Sequence, residues 1–177
     1  MFAAEIRTRR VAHTRGFIQW RWHLDEVFVK INGKLCYLWR AVDVDHEGEV
    51  LETVVTAKRD KAAALKFLKR IMKKYGRPRS VITDGLCSYP AAMKEIGNAD
   101  RHEVGRHLNN RAENSHQPFR RRERAMQRFR SAKTLQKFSS VHAQVHNHFN
   151  QERHLVAREI YKQRRSAAFG EWRALMA

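Results

Sequence analysis

Two aspartates stand where an ionised carboxylate is expensive. Asp25 lies inside the β-branched and aromatic run 22–31 (WHLDEVFVKI), on the same face as Val27 and Val29. Asp84 ends the short apolar run 80–83 (SVIT) and is followed by Gly85. Carboxylates in such places need a cationic partner or a metal ion. If the two runs are neighbouring strands, the acids face one another across a few ångströms. Like charges that close raise one pKa or recruit a divalent cation. Mg²⁺ takes one or two carboxylates together with water and phosphate oxygens. Two such ions roughly 3.5–4 Å apart stabilise both the attacking and the leaving oxygen of a phosphodiester displacement. A third acid, Glu113, heads a stretch that is otherwise basic, with His116 and Arg120 three and seven residues on. That spacing puts all three on one helix face, within reach of one phosphate group. Simpler roles stay open: Asp25 paired with an arginine, Asp84-Gly85 as a turn dipeptide, Glu113 as a first-turn partner of the helix dipole. Asp43, Asp45, Asp60, Asp100 and Glu103 compete for the same part on composition alone.

The elements that must position these acids follow from the apolar pattern. Strands are predicted at 22–31, 35–45 and 50–56, the first two joined by Asn32-Gly33, a strong hairpin signal. Asp60 caps a helix over 62–75, in which Leu65, Leu68, Met72 and Tyr75 share a face, and Gly76 and Pro78 stop it. A short buried strand at 80–83, a helix at 89–96 and a fifth strand at 102–108 come next. Helices are predicted at 119–129 and 131–149. The second has an apolar stripe of Leu135, Phe138, Val141, Val145 and Phe149, with Ser131 as its cap. Residues 166–176 read as a short amphipathic helix. The order β-β-β-α-β-α-β-α-α makes an α/β fold with a mixed five-stranded sheet flanked by helices. A right-handed crossover returns strand 80–83 to the side of the first strand, which would bring Asp84 to Asp25.

Composition limits the partners. The 177 residues suffice for one domain, and 42% hydrophobic with 31% charged residues reads as globular. Lys and Arg number 36 against 18 acids, a formal charge of +18 that calls for a polyanion, most simply nucleic acid. No run of eighteen apolar residues is present to span a membrane, and the start lacks the apolar core of a secretory signal. Cys36 and Cys87 give neither a disulfide framework nor a four-thiolate zinc site, and the expected compartment is reducing cytoplasm. The first twenty residues read as a basic arm. The run Arg120, Arg121, Arg122, Arg124 with Arg128 and Arg130 has almost no interleaved acids. It suits salt-sensitive contact with a phosphate backbone. His142, His146, His148 and His154 lack an HExxH pattern and are expected as helix-surface histidines. Trp22 and Trp39 are expected in the core.

In order along the chain, Trp22-His23-Leu24-Asp25-Glu26, Tyr37-Leu38-Trp39-Arg40-Ala41-Val42-Asp43 and Lys58-Arg59-Asp60-Lys61-Ala62-Ala63 resemble a known family. Val81-Ile82-Thr83-Asp84-Gly85, Leu108-Asn109-Asn110-Arg111-Ala112-Glu113 with His116, and Arg128-Phe129-Arg130-Ser131 continue the likeness. Together they resemble the catalytic core of a bacterial insertion-sequence transposase of the D-D-E type, closest to insertion-sequence family six. The resemblance implies an RNase H-like fold, with residues 1–21 as an arm, 22–150 as the catalytic domain and 151–177 as a helical extension. It implies a catalytic and metal-holding triad of Asp25, Asp84 and Glu113, separated by 58 and 28 residues. Two Mg²⁺ (or Mn²⁺) ions are the implied cofactors, for 3′-end cleavage and strand transfer. Double-stranded DNA, as element ends and target, is the implied partner. His116, Arg120, Arg121, Arg122, Arg124, Arg128 and Arg130 would contact it. A homodimer or larger assembly in the bacterial cytoplasm, at the nucleoid, and no membrane association complete the expectation. About twenty residues precede Trp22, fewer than the family's trihelical end-reading region, so the expectation is a truncated member. A catalytically silent DNA-binding remnant and a nuclease of the same fold are the alternatives.

Overall fold

The Asn32-Gly33 turn sets the register of everything that follows. In a computed structural model that describes residues 21–43, 48–105, 110–126, 129–149 and 156–176, both turn residues take positive φ, 48° and 80°. A two-residue hairpin turn requires this. It pairs β1 (Arg21–Ile31) with β2 (Lys34–Asp43) antiparallel, from Ile31 opposite Lys34 to Trp22 opposite Asp43. Asp25 thereby falls opposite Arg40. β3 (Glu49–Thr56) adds antiparallel to β2, with an irregularity at Ala41/Val42.

Asp60 starts α1 (Lys61–Tyr75), its carboxylate accepting from the Ala63 N–H at 2.9 Å, and Gly76 at φ 80° ends it. The chain then crosses over to β4 (Ser80–Thr83), which lies parallel to β1 with Leu24 opposite Thr83. After α2 (Ser88–Ile96) and one 3₁₀ turn (Ala99–Arg101), β5 (His102–Val104) pairs parallel to β4. The sheet order is β3-β2-β1-β4-β5, the mixed five-stranded arrangement expected from the element order.

The two faces carry separate cores because strand side chains alternate. Trp22, Leu24, Trp39 and Ala41 pack with Phe67, Leu68, Ile71, Tyr89 and Met93 of α1 and α2. Val27, Val29, Ile31 and Leu38 pack on the opposite face with Phe119, Phe129 and Leu135. Each large side chain so buried contributes roughly 1.5–3 kcal/mol relative to exposure. α3 (Asn110–Ala125), α4 (Ala132–Phe149) and α5 (Arg158–Met176) follow.

Three expectations need correction. The helix predicted at 119–129 begins at Asn110 and ends at Ala125, and Phe129 is a buried plug beyond it, 6.5 Å from Phe119. Polar residues hid its first two turns, since a helix anchored by a few contacts needs no apolar periodicity there. The strand predicted at 102–108 is described as His102–Val104, and residues 106–109 lie outside the described residues. The apolar stripe expected on α4 is only part of its buried face: Leu135 is buried and Phe138 packs beside it, but the stripe does not continue inward at Val141. Val141 is 42% exposed, whereas Ser139, Gln144, Asn147 and His148 are buried beside Leu135 and Ala143.

The reason is that β3 is a sheet edge, whose free backbone groups need partners. Asn147 Nδ2 donates to the Val50 carbonyl at 2.9 Å while its Oδ1 accepts from the Val50 N–H at 3.0 Å. Gln136 does the same one stretch along, donating to the Thr53 carbonyl at 2.9 Å and accepting from the Val55 N–H at 2.8 Å. Side-chain amides therefore close the edge where a sixth strand would otherwise pair.

Candidate active site

β4 ends at Thr83 while β1 runs on, so the carboxyl end of β4 is where side chains from both faces of β1 can meet. Asp25 points to the α3 face and Glu26 to the α1/α2 face, and Asp84 follows Thr83 directly. The three carboxylates come together, one oxygen of each lying within 4.8 Å of the others. Asp84 is held by an Asx-type turn in which its Oδ1 accepts from the Leu86 N–H at 3.2 Å. Gly85 makes that turn possible, with φ at 96° and Val104 Cγ1 only 3.4 Å from where a Cβ would sit.

Burial pushes the Glu26 carboxyl up to about 7. The Arg59 guanidinium, whose Nε donates to Glu26 Oε1 at 3.2 Å, opposes that rise, and the charges of Asp84 and Asp25 add to it. Desolvation thus outweighs the ion pair here.

Cations surround the acids on both faces. Arg40, only 2% exposed, donates through Nη2 to the Ser115 carbonyl at 2.9 Å, which ties α3 to the sheet beside Asp25. Burial lowers its pKa to about 10 against the attraction of Asp25. His116 Nδ1 lies 3.6 Å from Asp25 Oδ2. That separation is long for a hydrogen bond. Burial and the nearby Arg40 and Arg120 push His116 down to about 3, so at neutral pH the contact joins a neutral imidazole to a carboxylate and is no ion pair. Behind Glu26, the fully buried Tyr89 hydroxyl has no hydrogen-bond partner among the described residues.

Of the triad expected from sequence, Asp25 and Asp84 are brought together; the Glu113 side chain lies outside the described residues. His116 sits one helical turn further along α3 and reaches Asp25, so this face of the helix comes to the acids. Arg120 is turned inward, its Nη2 on the Phe28 carbonyl at 2.6 Å and its Nη1 on Glu123 at 2.5 Å. Arg121, Arg122, Arg124 and Arg130 are exposed, and Arg128 lies outside the described residues.

Arg121 and Arg122 line a cleft of about 420 Å³ between α3 and α4, together with Pro118, His142, Val145, His146 and Phe149. The surface position expected for the histidines is corrected accordingly. His142 and His146 are half-buried and stacked at 6.0 Å, and burial pushes both down to about 4. His148 is buried against the Ala168 carbonyl at 2.8 Å, because α5 packs Phe169 and Trp172 onto this end of α4. His154 lies outside the described residues.

Sequence reasoning missed Glu26, Arg40, Arg59 and Tyr89. Arg40 was within reach: a two-residue Asn32-Gly33 turn by itself puts residue 40 opposite residue 25. Glu26 carried no such signal, since its neighbour Asp25 points to the other face. The donors that gather here are all oxygens, which suits a hard divalent cation such as Mg²⁺ or Mn²⁺ and not a thiophilic one. The orphaned Tyr89 hydroxyl beside the carboxylates points the same way, since a buried donor normally has an acceptor.

Known proteins resemble this chain in sequence and in fold. A family model of the IS240 transposase type, described as a DDE domain, matches residues 19–152. Over 137 residues the chain is 35% identical to the transposase for insertion sequence-like element IS431mec of Staphylococcus aureus. It is equally similar to the transposase for insertion sequence element IS257 in transposon Tn4003 of that species. Each match covers 74% of this chain and 59% of the relative, so the chain spans about three-fifths of the length of these curated relatives. Among solved structures, a simian T-cell lymphotropic virus intasome matches with a TM-score of 0.57 at 19% identity, over 76% of this chain and 50% of that one. The HTLV-2 integrase catalytic core domain in complex with magnesium matches with a TM-score of 0.52 at 12% identity, over 75% of this chain and 87% of that one. The shared fold is RNase H-like. Among the described residues no helix is long and apolar enough to cross a membrane.

Proposed function

The chain belongs to the IS240-type DDE transposases, insertion-sequence family six, and from that premise we propose that it is the core that cuts and joins insertion-sequence DNA. The observation that carries this reading is the parallel β1/β4 pairing, which brings Asp25 and Asp84 level at the carboxyl end of β4. Asp25 and Asp84, with Glu113 from α3, would hold two divalent ions. When bound, such ions supply charge neutralisation at the scissile phosphate and activation of the attacking oxygen.

The chain's own residues do the rest. In the first reaction water attacks phosphorus at the element end, the P–O3′ bond breaks and a 3′-hydroxyl is freed. In the second that hydroxyl attacks a target phosphodiester, and a target 3′-oxygen leaves. Both are in-line displacements, so one constellation of acids serves both. Arg40 fixes α3 beside Asp25 through Ser115, which sets the approach of Glu113 and His116 to the scissile phosphate. Arg121, Arg122, Arg124, Arg128 and Arg130 would follow the DNA backbone, with Arg120 and His116 nearest the acids. Because two element ends are joined to one target, two or more copies would act together on DNA.

The test is strand transfer with pre-cut element-end duplexes and a supercoiled plasmid in Mg²⁺ or Mn²⁺, beside the Asp84→Asn variant. Joined products from the unsubstituted chain alone are expected. Nicks without joints would instead make it a nuclease of this fold. A chain that folds and binds DNA but neither nicks nor joins, like its variant, would make it a DNA-binding remnant.

A further inference from the structure

We propose that Glu26 is a further cation-holding carboxylate of this centre, reaching it from the opposite face of β1 with the Tyr89 hydroxyl behind it. The inference rests on the metal-centre reading above and adds a residue to it.

Three observations carry it. First, the Glu26 carboxylate is one of the three that converge within 4.8 Å, and its side chain is only 1% exposed. A carboxylate that dry is retained at a cost unless something offsets its charge. Arg59 contributes one contact, at 3.2 Å through Nε, and its guanidinium also lies over the Phe28 ring at 5.2 Å. Second, Tyr89 is fully buried, and its hydroxyl has no hydrogen-bond partner among the described residues. The ring stands edge-on to Trp39 at 5.5 Å, and Trp39 is the cross-strand neighbour of Glu26. Glu26, Asp25 and Asp84, in that order of strength, all act on it electrostatically. Its O–H is therefore a donor left for Glu26 or for water around a bound ion. Third, Asp25 and Glu26 are adjacent in sequence and face opposite ways, so together they straddle the sheet. An ion at the end of β4 would then be gripped from both faces of β1, by Asp25 on the α3 side and by Glu26 on the other. A purely structural Glu26, serving only to anchor Arg59 at the start of α1, would leave the tyrosine hydroxyl unexplained.

Mn²⁺ binding to the full chain without DNA, followed by calorimetry or water-proton relaxation, tests this with no recourse to activity. Glu26→Gln keeps the size and an acceptor for Arg59 while removing the charge. Its Mn²⁺ dissociation constant is expected to rise by roughly 10-fold or more, the range for groups that support a metal site. Tyr89→Phe removes a hydroxyl that has no partner among the described residues, so the metal-free fold is expected to hold. It is expected to weaken Mn²⁺ several-fold and covers the case in which Glu26→Gln does not fold. Asp84→Asn is the control. If Asp84→Asn loses Mn²⁺ while Glu26→Gln and Tyr89→Phe bind it like the unsubstituted chain, the proposal is overturned and the metal-centre reading stands. If the unsubstituted chain binds no Mn²⁺, both are overturned.

Discussion

Arg40 offers the most direct measure of how the sheet sustains its acids. It is wholly buried, faces Asp25 across the β1/β2 ladder, and donates to the Ser115 carbonyl and hydroxyl at 2.9 and 3.4 Å. Burial lowers its pKa to about 10, a penalty on the charged form of about 3 kcal/mol at 1.36 kcal/mol per pH unit. The guanidinium is thus retained at a cost, and its return is the charge it presents to Asp25.

Removing one member of such a buried pair costs about 3–5 kcal/mol, because the other charge is left uncompensated. Arg40→Met should lose that much in the metal-free protein. In an Asp25→Asn background no carboxylate remains at that position, and only the Ser115 bonds are lost, about 1–2 kcal/mol. The coupling between the two sites should therefore be about 1–4 kcal/mol. Urea unfolding of the four chains in EDTA measures it, provided the m-values agree. Costs for Arg40→Met that match in the two backgrounds to within about 0.5 kcal/mol would refute the reasoning, since independent sites add to that precision. Arg40 would then be a helix anchor and nothing more.

Other consequences are open to equally direct measurement. Asn147→Ala strips partners from both backbone groups of Val50 and should cost about 2–4 kcal/mol in chemical denaturation, with more self-association from the opened β3 edge. Asn147→Gln, which cannot hold the same two bonds without strain, should not restore it. His142 and His146 have folded pKa values of about 4, below the ordinary 6.5, so between pH 6.5 and 4 the unfolded chain binds more protons. Stability should be fully present above that window and fall as the pH drops through it. After discounting for their solvent contact the loss is roughly 1 kcal/mol each, and His142→Gln/His146→Gln should flatten the profile. Arg121→Ala and Arg122→Ala should each lower the slope of log affinity against log salt for DNA by about one, measured by fluorescence anisotropy. Unchanged slopes would remove the α3–α4 cleft from the DNA path.

Much of this molecule is written locally in its chain. The Asn32-Gly33 turn dictates a hairpin and, with it, the Asp25–Arg40 register; Asp60 and Gly76 bound α1; and the apolar SVIT run followed by Asp84-Gly85 marks a buried strand ending at an acid. Handedness of the crossover then suffices to bring Asp84 to Asp25. These features are legible because each depends on a few neighbouring residues. What the sequence could not disclose depends on groups far apart in it. The α4 helix buries amides because β3, more than eighty residues earlier, is an edge with unpaired backbone groups, so its exposed Val141 misleads any reading by hydrophobicity. Glu26 reaches the acids only because β4 stops at Thr83, opposite Leu24, and leaves room for side chains from both faces of β1 to meet. Chain chemistry chose the acids; the length of one strand decided how many of them converge.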